Sequence, residues 1–125
     1  MPGRGFRDLK VWQVSMDLVE TVYRLSADFP KSEQFGLASQ IRRAATSVPS
    51  NIAEGSGRES SKEFLQFLAI AKGSLREVET QFLIATRLHY LDQIQTDCLL
   101  NLISEVAKML NGLMTSLKTR LKNSF

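Results

Sequence analysis

Between Phe64 and Ala85, apolar residues return at alternating intervals of four and three: Phe64, Leu68, Ala71, Leu75, Val78, Phe82 and Ala85. Such spacing keeps one stripe of side chains on a single face of an α-helix, and the strict alternation makes that stripe a seam for packing against other helices. No strand-like alternation, internal repeat or low-complexity segment competes with helix anywhere in the chain. The final apolar series, Leu99, Ile103, Val106, Leu110, Leu113 and Leu117, has the same spacing. It is opposed by Asn101, Ser104, Lys108, Asn111, Thr115, Lys118 and Lys122, a polar face whose charges are all basic.

Punctuation divides the chain into four such segments. Pro30 stops the first helix, because proline disfavours helical geometry before it and cannot continue the hydrogen-bond ladder. Ser32 offers a cap for a second helix carrying Leu37, Ile41, Ala45, Val48 and Ile52. Pro49 falls inside that helix and predicts a kink, with Ser47, Ser50 and Asn51 placed to hydrogen-bond what the ring frees. Gly55 and Gly57 end it. Ser60 with Glu63, and Asp92 with Gln95 after a short "HYL" link, have capping-box spacing. Helices are expected over about 8–29, 33–55, 61–89 and 93–121, in a single domain spanning 1–125. Short links between four helices predict an all-α, up-down-up-down four-helix bundle with a proline kink in the second helix.

The first helix is apolar on more than one side. Leu9, Trp12, Met16, Val19 and Tyr23 form one stripe, and Val11, Val14, Leu18, Leu25 and Phe29 form another. Lys10, Gln13, Asp17, Glu20, Arg24 and Asp28 make its only polar stripe. One apolar stripe serves the core and the surplus predicts a homo-oligomer, with Val11, Val14 and Leu18 as candidate interface residues. The spacing alone leaves open which stripe points outward.

At 125 residues and 43% hydrophobic, the chain can bury one real core. No apolar run approaches the roughly 20 residues that span a bilayer. The start "MPGRGFRDLK" lacks the apolar region of a secretory signal, and the one cysteine, Cys98, cannot form an internal disulfide. A reducing cytoplasm and no membrane partner are the expectation. Sixteen Lys and Arg against 13 Asp and Glu give a net charge of +3, a mild bias that permits polyanion binding. Its distribution is more telling: Arg4, Arg7 and Lys10 stand near one terminus and Lys118, Arg120 and Lys122 near the other. An up-down-up-down bundle brings those termini to the same end, which makes the six residues the candidate nucleic-acid surface; plain solubilising ends are the other reading. Contacts would be mainly to phosphates, since Trp12, Phe64, Phe67 and Phe82 lie on apolar faces.

Candidate chemistry is sparse. "GSGRESSK" has the wrong spacing for a phosphate-binding P-loop and follows a helix, although Arg58 and Lys62 beside the next helix start leave a weaker anion site open. A bundle di-iron site needs Glu-x-x-His pairs, and the single histidine, His89, has no such glutamate. Glu77 and Glu79 lie two apart on different faces, unsuited to sharing a magnesium ion. Nothing is evident to orient His89 as a base for Cys98. No catalytic residue, metal or cofactor is therefore expected, and an enzyme of unknown type is the lesser alternative to a scaffold or adaptor.

The stretch "SQIRRAATSVPSNIAEGSGRESSKEFLQFLAIAKGSLREVETQ", with "FRDLKVWQVSMDLV" before it and "GLMTSLK" after it, resembles the four-helix-bundle family encoded by intervening sequences in bacterial 23S ribosomal RNA genes. The resemblance covers nearly the whole chain. It implies a ring-like homopentamer with no established catalytic activity. It also implies a relationship to accessory proteins of diversity-generating retroelements, which bind nucleic acid and a reverse transcriptase. The implied partners are thus further copies of the chain, RNA or DNA, and a nucleic-acid-processing protein. His89 stands where the resemblance implies that relatives often have glycine, which bears on the local turn. Beside this resemblance, Arg42, Arg43, Pro49, Glu54, Gly55, Glu77 and Glu79 take a structural role. Charge pairs between the second and third helices are expected to fix how the bent helix docks, and Ala44, Ala45, Gly73 and Ser74 to permit close approach.

Overall fold

The computed structural model describes residues 5–123. After a 3₁₀ turn at Gly5–Asp8, four helices follow: α1 (Lys10–Ser26), α2 (Leu37–Ser56), α3 (Ser61–Arg87) and α4 (Gln93–Lys122). Helix α1 packs on α2 and α4, and α3 packs on the same two, while the backbones of the diagonal pairs stay further apart across the core. That square is the up-down-up-down bundle, with no strand among the described residues. The seam of α3 faces inward as its spacing requires: Leu68, Ala71, Leu75, Val78, Phe82 and Ala85 are buried against Leu18, Ile41, Ile52, Leu99 and Leu110 from the other three helices.

The helix ends depart from the sequence reading in instructive ways. Helix α1 stops at Ser26, although Phe29 still enters the core and tilts against the Tyr90 ring at 5.5 Å. Ser32 does not cap α2, because Lys31–Glu33 is a 3₁₀ turn and α2 starts only at Leu37. Glu33 does that work instead: its Oε1 accepts from the Leu37 N–H at 3.1 Å, and its Oε2 accepts from the Tyr90 hydroxyl at 2.9 Å. One carboxylate thus ties the start of α2 to the α3–α4 connection, and its hydrogen bond raises the Tyr90 phenol above the ordinary value.

Ser60 accepts from the Glu63 N–H at 3.1 Å, but the Glu63 carboxylate accepts from the Ser60 hydroxyl at 3.4 Å rather than completing the box. The Asp92–Gln95 box is complete, with bonds of 2.7 and 3.0 Å. At the end of α3, Tyr90 N–H donates to Ala85 O and His89 N–H to Thr86 O, with His89 at φ 62°. This is a Schellman close, with histidine at the left-handed position that glycine occupies most easily.

Gly57 follows α2, whereas Gly55 lies buried inside it and does not stop it. A Cβ at Gly55 would stand 2.7 Å from Phe67 Cβ and 2.8 Å from Phe64 Cδ1, so this glycine serves the close approach of α2 and α3. Helix α2 runs through Pro49, which is buried. The neighbouring donors reach carbonyls beyond the one the proline frees: Ser50 Oγ donates to Thr46 O at 2.7 Å and Asn51 Nδ2 to Ser47 O at 2.8 Å, not to Ala45 O.

Candidate nucleic-acid interface

The start of α1, the α2–α3 connection and the last turns of α4 share one end of the bundle. Between them lies a cleft of about 380 Å³ lined by Leu9, Ser56, Arg58, Ser60, Ser61 and Arg120, among others. Arg120 is therefore brought against the start of α1, where Arg7 and Lys10 are exposed. Lys118 and Lys122 are exposed on the same closing turns of α4. Arg4 lies outside the described residues. Gln13 Nε2 donates to Arg7 O at 2.8 Å, holding the approach to α1 in place.

The cleft adds a residue that the count of basic termini missed. Arg58 lies with its guanidinium 4.9 Å over the Phe67 ring and donates to Glu54 Oε2 at 3.2 Å. Its pairing with Glu54 is solvent-exposed and therefore weak, so the cation remains available to a stronger anion. The sequence offers Arg58, with Lys62, only as a weaker anion site beside the start of α3, apart from the basic termini. Asp8, Glu54, Glu59 and Glu63 also lie at this end, so the surface is an excess of basic over acidic groups rather than a uniform field.

The expected charge pairs between α2 and α3 are not formed. Arg42 donates from Nε to Ser26 Oγ at 2.7 Å and from Nη2 to Tyr23 O at 3.3 Å, and its guanidinium sits 4.8 Å over the Tyr23 ring. It closes the carbonyl end of α1, where a cation complements the negative end of the helix dipole and shares Tyr23 O with the Ala27 N–H and the Ser26 hydroxyl. Glu54 pairs with Arg58, and Glu79 with Arg76 at 2.7 Å on its own helix. Arg43 and Glu77 enter no ion pair among the described residues. Helix α2 is instead fixed on α3 by the Gly55 contact and by Ser47 Oγ lying 2.8 Å from Ser74 Oγ.

The candidate oligomer-interface residues also require correction. Val11, Val14 and Leu18 belong to the chain's own core, Leu18 being fully enclosed. The outward stripe of α1 is Trp12, Met16, Val19 and Tyr23, with Met16 and Tyr23 exposed by 42% and 44%. Side-chain chemistry decides between two stripes of equal period. Valine and leucine carry no polar atom, whereas the indole and phenol keep theirs near water from the outer position.

Cys98 is exposed, and so is His89 in its turn. Among the described residues no group of three or more His, Cys, Asp or Glu side chains is gathered as a metal site requires, and no helix is long and apolar enough to cross a membrane.

The family described as 23S rRNA-intervening sequence protein matches residues 7–112. The chain belongs to that family. Among solved structures, it is similar to a protein of unknown function from the S23 ribosomal protein family of Bacteroides thetaiotaomicron, at 24% identity and a TM-score of 0.78. The likeness covers 84% of this chain and 95% of that one, and it carries the fold. A comparison with curated proteins gives no match. Lys118, Arg120 and Lys122 lie beyond the matched span, while Arg7, Lys10 and Arg58 lie within it.

Proposed function

We propose that the protein is a non-catalytic, oligomeric scaffold of the cytoplasm that binds RNA through phosphates at the basic end of the bundle. The observation that carries this reading is the cleft in which Arg58 and Arg120 meet the start of α1. The outward apolar stripe of α1 supports assembly, and a pentameric ring is the stoichiometry we propose, following the family resemblance. A ring multiplies the +3 of one chain and raises the local concentration of a polyanion that a single copy would hold weakly. A bend in α2 at Pro49 belongs to the same proposal, as the feature that shapes the copy for assembly. A nucleic-acid-processing protein is the proposed further partner.

Titration of a labelled single-stranded RNA at several salt concentrations tests the reading. The logarithm of the binding constant should fall linearly with the logarithm of salt, by about 0.7 per phosphate neutralised. Changing Lys118, Arg120 and Lys122 together to Gln should flatten that slope without dissolving the oligomer. Absence of RNA and DNA binding at about 50 mM salt, where electrostatic association is strong, would leave a protein–protein adaptor in its place.

A further inference from the structure

Two depressions flank α2 and share Arg43 at their common edge. One, of about 450 Å³ on the α1–α2 face, is lined by Tyr23, Phe35, Arg42 and Thr46; the other, of about 330 Å³ on the α2–α3 face, by Ser47, Ser74, Glu77 and Gln81. Each face is incomplete within one copy. On the first, Phe35 is 90% exposed, and the Arg42 guanidinium meets only neutral acceptors. On the second, Gln81 Oε1 is buried with no donor among the described residues, and Glu77 has no ion-pair partner. Ile70, Glu77 and Ile84 recur at seven-residue intervals, so the two exposed isoleucines share the helix stripe that presents the carboxylate.

We infer that a second copy of this chain docks its α1–α2 face onto the α2–α3 face of the first, with Arg42 of one copy set against Glu77 and Gln81 of the next. The inference rests on the oligomeric reading and adds the surfaces that make it. Three independent features agree. The first is charge: a cation without a carboxylate lies on one face and a carboxylate with an orphan acceptor on the other. Arg42 has N–H groups to spare beyond the two in use.

The second is height along the bundle. A closed ring admits no axial slide between neighbours, so complementary groups must stand level. Helices α1 and α3 start at the same end and run in the same direction. Arg42 is bonded to Ser26, sixteen residues past the start of α1, and Glu77 lies sixteen residues past the start of α3. Val19 and Ile70 each lie nine residues past those starts. Phe35, just before α2, and Ile84, in the last turn of α3, both belong to the opposite end. Within one copy Arg43, next to Arg42, lines the same depression as Glu77, so cation and carboxylate stand at nearly one height and apolar groups at nearly another, with little slide needed.

The third is angle. Adjacent faces of a square bundle stand at about a right angle, and different faces so disposed close rings of few subunits, whereas one face paired with itself gives only a dimer. Because the two faces meet at α2, this ring turns the outer edge of α2, with Arg43 and Ser50, toward its lumen.

Charge reversal with rescue tests the pairing, read by sedimentation velocity at low micromolar concentration with helix content measured alongside. Wild type should sediment as an oligomer. Glu77→Arg and Arg42→Glu should each weaken assembly roughly tenfold or more, as stranding one partner of a desolvated charge pair does. The double variant should recover. Phe35→Ser, at a side chain that already faces solvent, should weaken assembly with helix content unchanged. If Arg42→Glu loses helix content because Arg42 also closes α1, Glu77→Arg and Phe35→Ser decide alone. An oligomeric wild type whose mass survives both of these overturns the proposed surfaces and leaves the oligomer standing. A double variant that keeps its helix content and stays dissociated overturns the ion pair. A monomeric wild type overturns the surfaces and the oligomer together.

Discussion

The two apolar stripes of α1 have the same period and opposite fates. Val11, Val14, Leu18 and Val22 are packed among α2 and α4, while Trp12, Met16, Val19 and Tyr23 run along the outside. A stripe at helical spacing marks one face of the helix, but not which stripe the chain's own core takes. The inner stripe is covered within the chain, where loss of a methylene leaves a cavity. The outer stripe is left half-covered, and in the proposed assembly its energetic weight should appear only when another copy docks.

Stability measurements can break that contrast. Leu18→Ala should cost about 2–5 kcal/mol in denaturant unfolding, since the side chain is fully enclosed. Met16→Ala should stay within about 0.5 kcal/mol for the monomer, as a surface change does. Similar costs at the two positions would mean that the outer stripe is part of the core after all. Gly55→Ala sharpens the inner side of the contrast. A methyl placed against Phe64 and Phe67 should cost about 1–3 kcal/mol through overpacking, visible as a lower melting temperature.

Smaller effects are expected outside the core. His89→Gly should raise stability by about 1 kcal/mol or less, because relief of the left-handed backbone at φ 62° is partly offset by a freer unfolded chain. A fall in melting temperature would show that the imidazole contributes more than its backbone costs. Pro49→Ala should change helix content least of all and weaken assembly more, if the proline shapes α2 for its neighbours. Unchanged oligomer mass and melting would make the proline incidental.

The bundle was legible because heptad spacing in α3 and α4 is a property of the chain alone, and because Ser60 and Asp92 mark helix starts by local hydrogen bonds. The start of α2 was not, since Glu33 caps it with a long side chain reaching back from a 3₁₀ turn rather than with a hydroxyl at the usual place. The direction of the α1 stripes was hidden for a different reason: periodicity fixes an angle around the helix but not the position of its neighbours. Arg42 shows the same limit, as its acceptors are carbonyl and hydroxyl groups at the end of another helix, which no spacing of acids announces. At the basic end, topology alone predicts that Arg7 and Lys10 approach Lys118, Arg120 and Lys122, while Arg58, legible in the sequence only as part of a weaker anion site, joins them through the cleft that the folded turn creates.

The central claim is that the outer stripe of α1 is an assembly surface. Sedimentation of the wild type beside Met16→Glu at the same micromolar concentration tests it most directly. The account predicts an oligomer for the wild type and a folded, helical species of monomer mass for Met16→Glu. A Met16→Glu protein that keeps the wild-type mass, or a wild type that is itself monomeric, would contradict it.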